Sequence, residues 1–179
     1  MARVFSAVDI TDEDLLNELM HMQDQLDLGF NPINREHIHV TLEFFEDIED
    51  SEIEELKKAL KDVEVESFSA EVNGVGAFPS LNHIRVVWAG FKDGKFRALH
   101  HQVGLHEVDH SNDHEFTPHA TLVRVKDLSS KKKQKLQKII REYRNHDFGE
   151  INVKSVKLFK SELGPNGPEY TELFEKKLE

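Results

Sequence analysis

The chain contains no cysteine. Disulfides, thiolate metal sites and cysteine nucleophiles are therefore excluded. It has no apolar run near the ~20 residues that a bilayer-spanning helix needs. No Gly-x-x-x-x-Gly-Lys-Ser/Thr stretch occurs, and Gly74-Val75-Gly76 is too short for a phosphate-cradling loop, so it reads as a bend. Positive charge is also short. Lys and Arg number 23 against 34 Asp and Glu, for a net charge of −11. A protein that grips a long polyanion draws its phosphate contacts from a surplus of Lys and Arg. Any nucleic acid is therefore expected to be met locally, at an end or over a short segment. The main basic cluster, Lys131-Lys132-Lys133, reads as a solvated helix start. The N-terminus carries a single basic residue, Arg3, and meets Asp9 too soon for a signal peptide. A cytosolic protein is expected.

The 179 residues, 38% of them hydrophobic and 32% charged, suffice for one domain with a real core. An internal echo organises them. His39-Val40-Thr41-Leu42 recurs as His119-Ala120-Thr121-Leu122, an offset of 80. The same offset pairs Asp47 with Asp127, Leu56 with Leu136, Leu60 with Ile140 and Phe68 with Phe148. After one inserted residue, Val75 pairs with Val156 and Phe78 with Phe159, while Arg3-Val4-Phe5-Ser6-Ala7 is similar to Arg85-Val86-Val87-Trp88-Ala89. A string of aligned apolar positions is a repeat rather than a coincidence. We read a single bilobal domain over 1–179, with repeats at roughly 1–82 and 83–161 and a closing strand at about 169–178.

Local signals give each repeat the same outline. Residues 3–9, 37–45 and 68–78 alternate as strands, and so do 84–91, 116–125 and 151–160. Thr11-Asp12-Glu13-Asp14 and Ser51-Glu52-Ile53-Glu54 read as capping boxes opening helices, with Leu15, Leu16, Leu19, Met22 and Leu26 on one stripe. Further helices are expected at about 94–108 and 130–144. Gly164-Pro165-Asn166-Gly167-Pro168 marks a turn. One-sided alternation favours antiparallel sheets. The fold class is α+β: two pseudo-symmetric lobes, each an antiparallel sheet with helices on its outer face, around a central cleft.

The chemistry lies in the doubled His-x-Thr. On a strand, His39 and Thr41 share a face about 7 Å apart, with Val40 and Leu42 turned to the core. His119 and Thr121 repeat the arrangement, so two polar pairs can converge across a pseudo-twofold axis. An imidazole with a reference pKa of about 6.5 serves as acid or base near neutrality. Paired imidazoles therefore suit in-line cleavage of a phosphodiester, one taking the nucleophile's proton and the other protonating the leaving oxygen. The threonine hydroxyls can donate to non-bridging oxygens. No metal or cofactor is needed. Two other clusters have spacings that could suit zinc: His37 with His39, and His106, His110 and His114 with Asp109 and Asp113. Ser111-Asn112-Asp113 favours a solvated loop there, and His37 reads as lining the cleft. By simple alternation Arg124 falls on the pleat opposite Thr121, unless a bulge turns it inward. Phe45, Phe78, Trp88 and Tyr170 can stack on a base but read chiefly as core.

These motifs, together with Gly74-Val75-Gly76-Ala77-Phe78-Pro79, Phe116-Thr117-Pro118 before His119, Arg124, and Ser161-Glu162-Leu163, resemble the 2H phosphoesterase superfamily over nearly the whole chain. The nearer likeness is to its RNA 2′,3′-cyclic phosphodiesterase (2′-5′ RNA ligase) branch. The resemblance implies hydrolysis of a 2′,3′-cyclic phosphodiester to a 2′-phosphomonoester. It implies His39 as proton donor to the leaving 3′ oxygen, His119 as the acceptor that activates water, and Thr41 and Thr121 as phosphate-binding hydroxyls. It also favours Arg124, His37 and Tyr170 as substrate-binding residues, and it brings the reverse 2′-5′ ligation. Glu43 departs from the family pattern, where a basic residue is common, and argues against a grip on long RNA. The expected partners are RNA ends or small nucleoside 2′,3′-cyclic phosphates, met by a monomer away from membranes. The alternative is a non-catalytic nucleotide or RNA-end binding module on the same fold; a histidine metalloenzyme built on 106–114 is a third.

Overall fold

Alternating apolar residues lay down the strands of the computed structural model, which describes residues 2–92, 94–103 and 116–179. The strands are β1 (Ala2–Asp9), β2 (Asn31–Pro32), β3 (His39–Ile48), β4 (Phe68–Pro79) and β5 (Ile84–Lys92). They continue with β6 (His119–Arg124), β7 (Asp147–Val153), β8 (Ser155–Gly164) and β9 (Gly167–Lys177). The helices among the described residues are α1 (Glu13–Gln25), α2 (Asp50–Lys61), α3 (Gly94–Gln102) and α4 (Ser130–Glu142). Helix α1 is capped by Asp12, whose carboxylate accepts from the Leu15 N–H at 2.8 Å, one residue later than the Thr11 expected. In α2 the Glu49 N–H donates to the Glu52 carboxylate at 2.7 Å, so its first turn starts two residues before the expected Ser51. In both helices a carboxylate, the stronger acceptor near the positive helix end, takes the place of a hydroxyl.

All pairings are antiparallel, in the order β7-β4-β5-β6-β3-β1-β8-β9, with β2 beside β6. The stretch 151–160, expected as one strand, is divided at Lys154: β7 pairs with β4, whereas β8 pairs with β1. These positions are six strand spacings apart, roughly 29 Å on a flat sheet, yet one residue connects them. The sheet must therefore curl until its ends approach. This makes two four-stranded walls, β7-β4-β5-β6 and β3-β1-β8-β9. The strands of the sequence repeats interleave between them, β4 crossing to β5 and β8 to β1.

The helices cover the backs of the walls. Helix α1 packs behind β6 and β7, α3 behind β3, α4 behind β4 and α2 behind β8 and β9. Leu19, Leu56, Leu99 and Leu136, one from each helix, are fully buried. Each such side chain contributes about 1.5–3 kcal/mol by leaving water. The repeat is visible in the backbone too. Asp47 and Asp127 both take left-handed conformations, with φ of 54° and 51°, which Asp tolerates better than most residues. No helix among the described residues is long and apolar enough to cross a membrane.

Candidate active site

The two walls meet where β3 pairs with β6, and the register there is Val40 opposite Ala120. These residues are equivalent in the repeat, so the local twofold passes between them. Antiparallel geometry then sets His39 across from Thr121 and Thr41 across from His119. Val40, Leu42, Ala120 and Leu122 are buried behind them. All four polar residues line one cleft of about 490 Å³, together with His37, Arg124 and Tyr170.

Each imidazole is held in the same way. His39 Nδ1 donates to the His37 carbonyl at 2.6 Å, and His119 Nδ1 donates to the Thr117 carbonyl at 2.7 Å. A carbonyl oxygen can only accept, so Nδ1 carries hydrogen in both rings, and the neutral form leaves its lone pair on Nε2. The Thr41 hydroxyl lies 2.8 Å from His39 Nε2. Aromatic rings fix the ring planes. His39 packs on Phe5 at 5.1 Å and edge-on to Tyr170 at 5.8 Å. His119 packs edge-on to Phe78 at 4.8 Å and tilted to Trp88 at 5.9 Å. Gly76 makes room for Trp88, because a Cβ there would collide with the indole.

Both histidines have pKa values lowered from the usual one. For His39 burial is the main cause, opposed by its hydrogen bond to His37 and reinforced by the charges of His37, His119 and Arg124. For His119 burial again dominates against the bond to Thr117. An anion in the cleft would reverse this tendency, because it stabilises imidazolium. Burial raises the Tyr170 pKa, with Arg124 acting the other way, so the phenol stays a neutral donor.

Simple alternation points Arg124 away from the cleft, and the structure reverses that expectation. Pairing of β5 with β6 steps from Val87↔Val123 to Trp88↔Thr121, so Leu122 is the extra residue of a bulge. The bulge shifts the pleat by one and turns Arg124 to the side of Thr121. The same step occurs in β3, where pairing with β1 goes from Ser6↔Glu43 to Ala7↔Thr41 and skips Leu42. Its consequence is Phe44, the repeat equivalent of Arg124, which lines the cleft at 63% exposure while Phe45 is core. Sequence reasoning considers Phe45 for stacking and misses Phe44. The offset that pairs residue 44 with residue 124 was the available signal.

Two further polar residues hold the bulges from behind. The Leu122 carbonyl accepts from Gln23 Nε2 at 2.8 Å and from the Ile33 N–H at 2.9 Å. The Leu42 carbonyl accepts from His100 Nδ1 at 2.7 Å, and His100 stacks on Phe116 at 4.1 Å. Gln23 and His100 are both buried. Each helix thus clamps the His-x-Thr strand of the other repeat, α1 reaching β6 and α3 reaching β3. Glu43 lies at the cleft wall, its carboxylate 3.6 Å from His100 Nδ1.

The remaining expectations fall elsewhere. His37 is not on a strand beside His39; it ends a short 3-10 turn, Arg35–His37, with its ring 4.6 Å from Tyr170. The cluster at 106–114 lies outside the described residues. Lys131 and Lys132 are exposed at the start of α4, away from the cleft lining.

Comparison with known proteins accords with this geometry. The family model for LigT like phosphoesterase matches residues 8–88 and 94–170. An RNA 2′,3′-cyclic phosphodiesterase of Methanocaldococcus jannaschii is 32% identical over 171 residues, covering 94% of this chain and 96% of the relative. The crystal structure of TT0787 of Thermus thermophilus superposes with a TM-score of 0.78 at 27% identity, over 98% of this chain and 97% of that one. LigT of E. coli, solved in complex with 3′-AMP, shares the fold with a TM-score of 0.71 at 18% identity, over 99% and 98% of the two chains. With a doubled His-x-Thr in one cleft and matches over most of its length, the chain belongs to the LigT-like phosphoesterase family.

Proposed function

We propose that the chain hydrolyses the 2′,3′-cyclic phosphodiester of RNA ends or nucleotides to a 2′-phosphomonoester, with His39 and His119 as acid and base. The observation that supports this reading is the pair of carbonyl-anchored imidazoles, each anchored through Nδ1 so that Nε2 is left for the acid–base step, on equivalent residues of one cleft. Neutral His119 takes a proton from water through Nε2, and the water oxygen forms a bond to phosphorus. The bond from phosphorus to the 3′ oxygen breaks in line, and His39 Nε2–H protonates the departing oxygen. Thr41, Thr121 and Arg124 hold the non-bridging oxygens, where negative charge concentrates. Proton exchange with solvent then resets the pair. An RNA hydroxyl in place of water gives a 2′-5′ linkage by the same steps.

The assignment of donor and acceptor follows the family pattern, since the two rings have near-equivalent anchors. The relatives' activity and the nucleotide held by the E. coli neighbour support the substrate class. The test is turnover of a nucleoside 2′,3′-cyclic phosphate in the presence of chelator, with the product identified. A 2′-phosphate is expected, with His39→Ala and His119→Ala each lowering kcat by about 10²–10⁴. A 3′-phosphate product would mean that the other oxygen leaves. Full activity in either variant would remove the paired mechanism.

A further inference from the structure

Helices α2 and α4 are equivalent in the repeat, with Leu56 matching Leu136 and Leu60 matching Ile140, all four buried. Their charges differ. Helix α2 opens on Asp50 and Glu52 and mixes further acids with its lysines. Helix α4 carries Lys131, Lys132, Lys133, Lys135, Lys138 and Arg141 against Glu142 alone. In a chain with 34 acids and 23 cations, that concentration does not follow from composition. Lys131, Lys135, Lys138 and Arg141 recur at steps of three and four residues, which sets them on one side of the helix. All four are exposed, and no carboxylate among the described residues forms an ion pair with any of them. The arrangement works against the free helix. Like charges at these steps repel, and α4 has no acid in its first turn, whereas α1 has Glu13 and Asp14 there. Lysines at the positive end of a helix oppose its dipole. A local rule broken without compensation inside the fold points to a function, and a row of anions supplies the missing partner.

We infer that the outer face of α4 is a docking site for the sugar-phosphate backbone of RNA, engaging a segment away from the end that enters the cleft. From Lys131 to Arg141 the face runs about 15 Å, the length of roughly four nucleotides of a stacked strand. Its near end is tied to the cleft, because β6 ends at Arg124 in the cleft wall and α4 begins at Ser130. That connection is at most roughly 20 Å of chain. A membrane surface would need apolar residues beside the cations, and Leu136 and Ile140 of α4 are turned into the core. Lysines contact phosphates without reading bases, so the docking is independent of sequence. The inference rests on the proposed activity and deepens it: the substrate is a polynucleotide held at two places. Net charge −11 over the whole chain keeps the contact to this one helix face and the cleft.

The test is a fourfold variant, Lys131→Gln with Lys135→Gln, Lys138→Gln and Arg141→Gln. Glutamine keeps the helix propensity, and none of the four residues lines the cleft. The substrates are an RNA hairpin whose single-stranded 3′ end is closed as a 2′,3′-cyclic phosphate, and the mononucleoside cyclic phosphate with the same base. At low salt kcat/KM should fall about tenfold or more on the RNA and stay unchanged on the mononucleotide. Affinity for the same RNA ending in a 2′-phosphate, followed by fluorescence anisotropy, should lose about three from its slope of log affinity against log salt, at roughly 0.7–0.9 per lost phosphate contact. Lys58→Gln with Lys61→Gln on α2, the counterparts of Lys138 and Arg141, should change neither substrate. An RNA-to-mononucleotide ratio that survives the fourfold variant would overturn the inference, as would an equal loss on both substrates or an equal loss in the α2 variant. So would self-association of the wild type that the fourfold variant abolishes without changing RNA affinity, because the face would then hold the acidic surface of a second copy. If neither cyclic phosphate is turned over, the proposed activity fails, and the RNA affinities still decide the role of the helix.

Discussion

Strands β3 and β6 carry the same text and diverge one step beyond it. Each has His-x-Thr-Leu, a bulge at the leucine, and an imidazole anchored to the carbonyl two residues before it. Each leucine carbonyl accepts from a buried side chain sent by the other repeat, His100 for Leu42 and Gln23 for Leu122. Past the bulge, β6 presents Arg124 and β3 presents Phe44. The shared features make two imidazoles anchored alike, and the difference gives the cleft a direction. The guanidinium end suits phosphate oxygens, while the aromatic end suits a base. A duplicated site thus becomes polar through one pair of equivalent positions, with the His-x-Thr pairs left alike.

Making the strands alike should cost most. Arg124→Phe removes the guanidinium from the cleft, and kcat/KM for a nucleoside 2′,3′-cyclic phosphate should fall about 10²–10³-fold, the usual worth of one preorganised donor. Arg124→Lys should recover only part, because an ammonium cannot make the fork contact. A loss below threefold in Arg124→Phe would show that the two positions do not differ in the reaction.

The clamps offer a smaller and symmetric effect. Gln23→Leu withdraws donors from the Leu122 and Ile33 carbonyls, and His100→Phe withdraws the donor to Leu42. Each should lower stability in urea denaturation by about 1–3 kcal/mol, the usual penalty for stranding a buried polar group. Each should also lower kcat more than it raises KM, because the bulge orients the threonine and the residue beyond it. A stability loss with kcat unchanged would mean that the clamps hold the fold without positioning the site.

Much of this was legible in the sequence because it is written locally or written twice. The strand and helix periods come from neighbouring residues. The paired histidines of the cleft stand out because His39 and His119 share an offset with Leu56 and Leu136, which are core residues of the helices. What stayed hidden depends on partners remote in the chain. A bulge is a mismatch between two paired strands, so Leu42 and Leu122 look like ordinary alternating residues until β1 and β5 are set beside them. Phe44 and Arg124 inherit their direction from those mismatches. Gln23 lies 99 residues from Leu122, and His100 lies 58 from Leu42, so neither reads locally as anything but a polar residue on a helix. The division at Lys154 is a change of partner within a continuous apolar alternation.

The pH dependence of kcat/KM for a nucleoside 2′,3′-cyclic phosphate, measured with chelator in the wild type, His39→Ala and His119→Ala, tests the paired imidazoles most directly. Both free-enzyme pKa values are lowered, chiefly by burial. The base must be neutral and the acid protonated, so the wild-type profile should be a bell with its maximum below the usual histidine value of about 6.5. The residual rate of His119→Ala should lose the acid limb, and that of His39→Ala the alkaline limb. A wild-type profile flat between pH 5 and 8, or a bell that survives in both variants, would contradict the account.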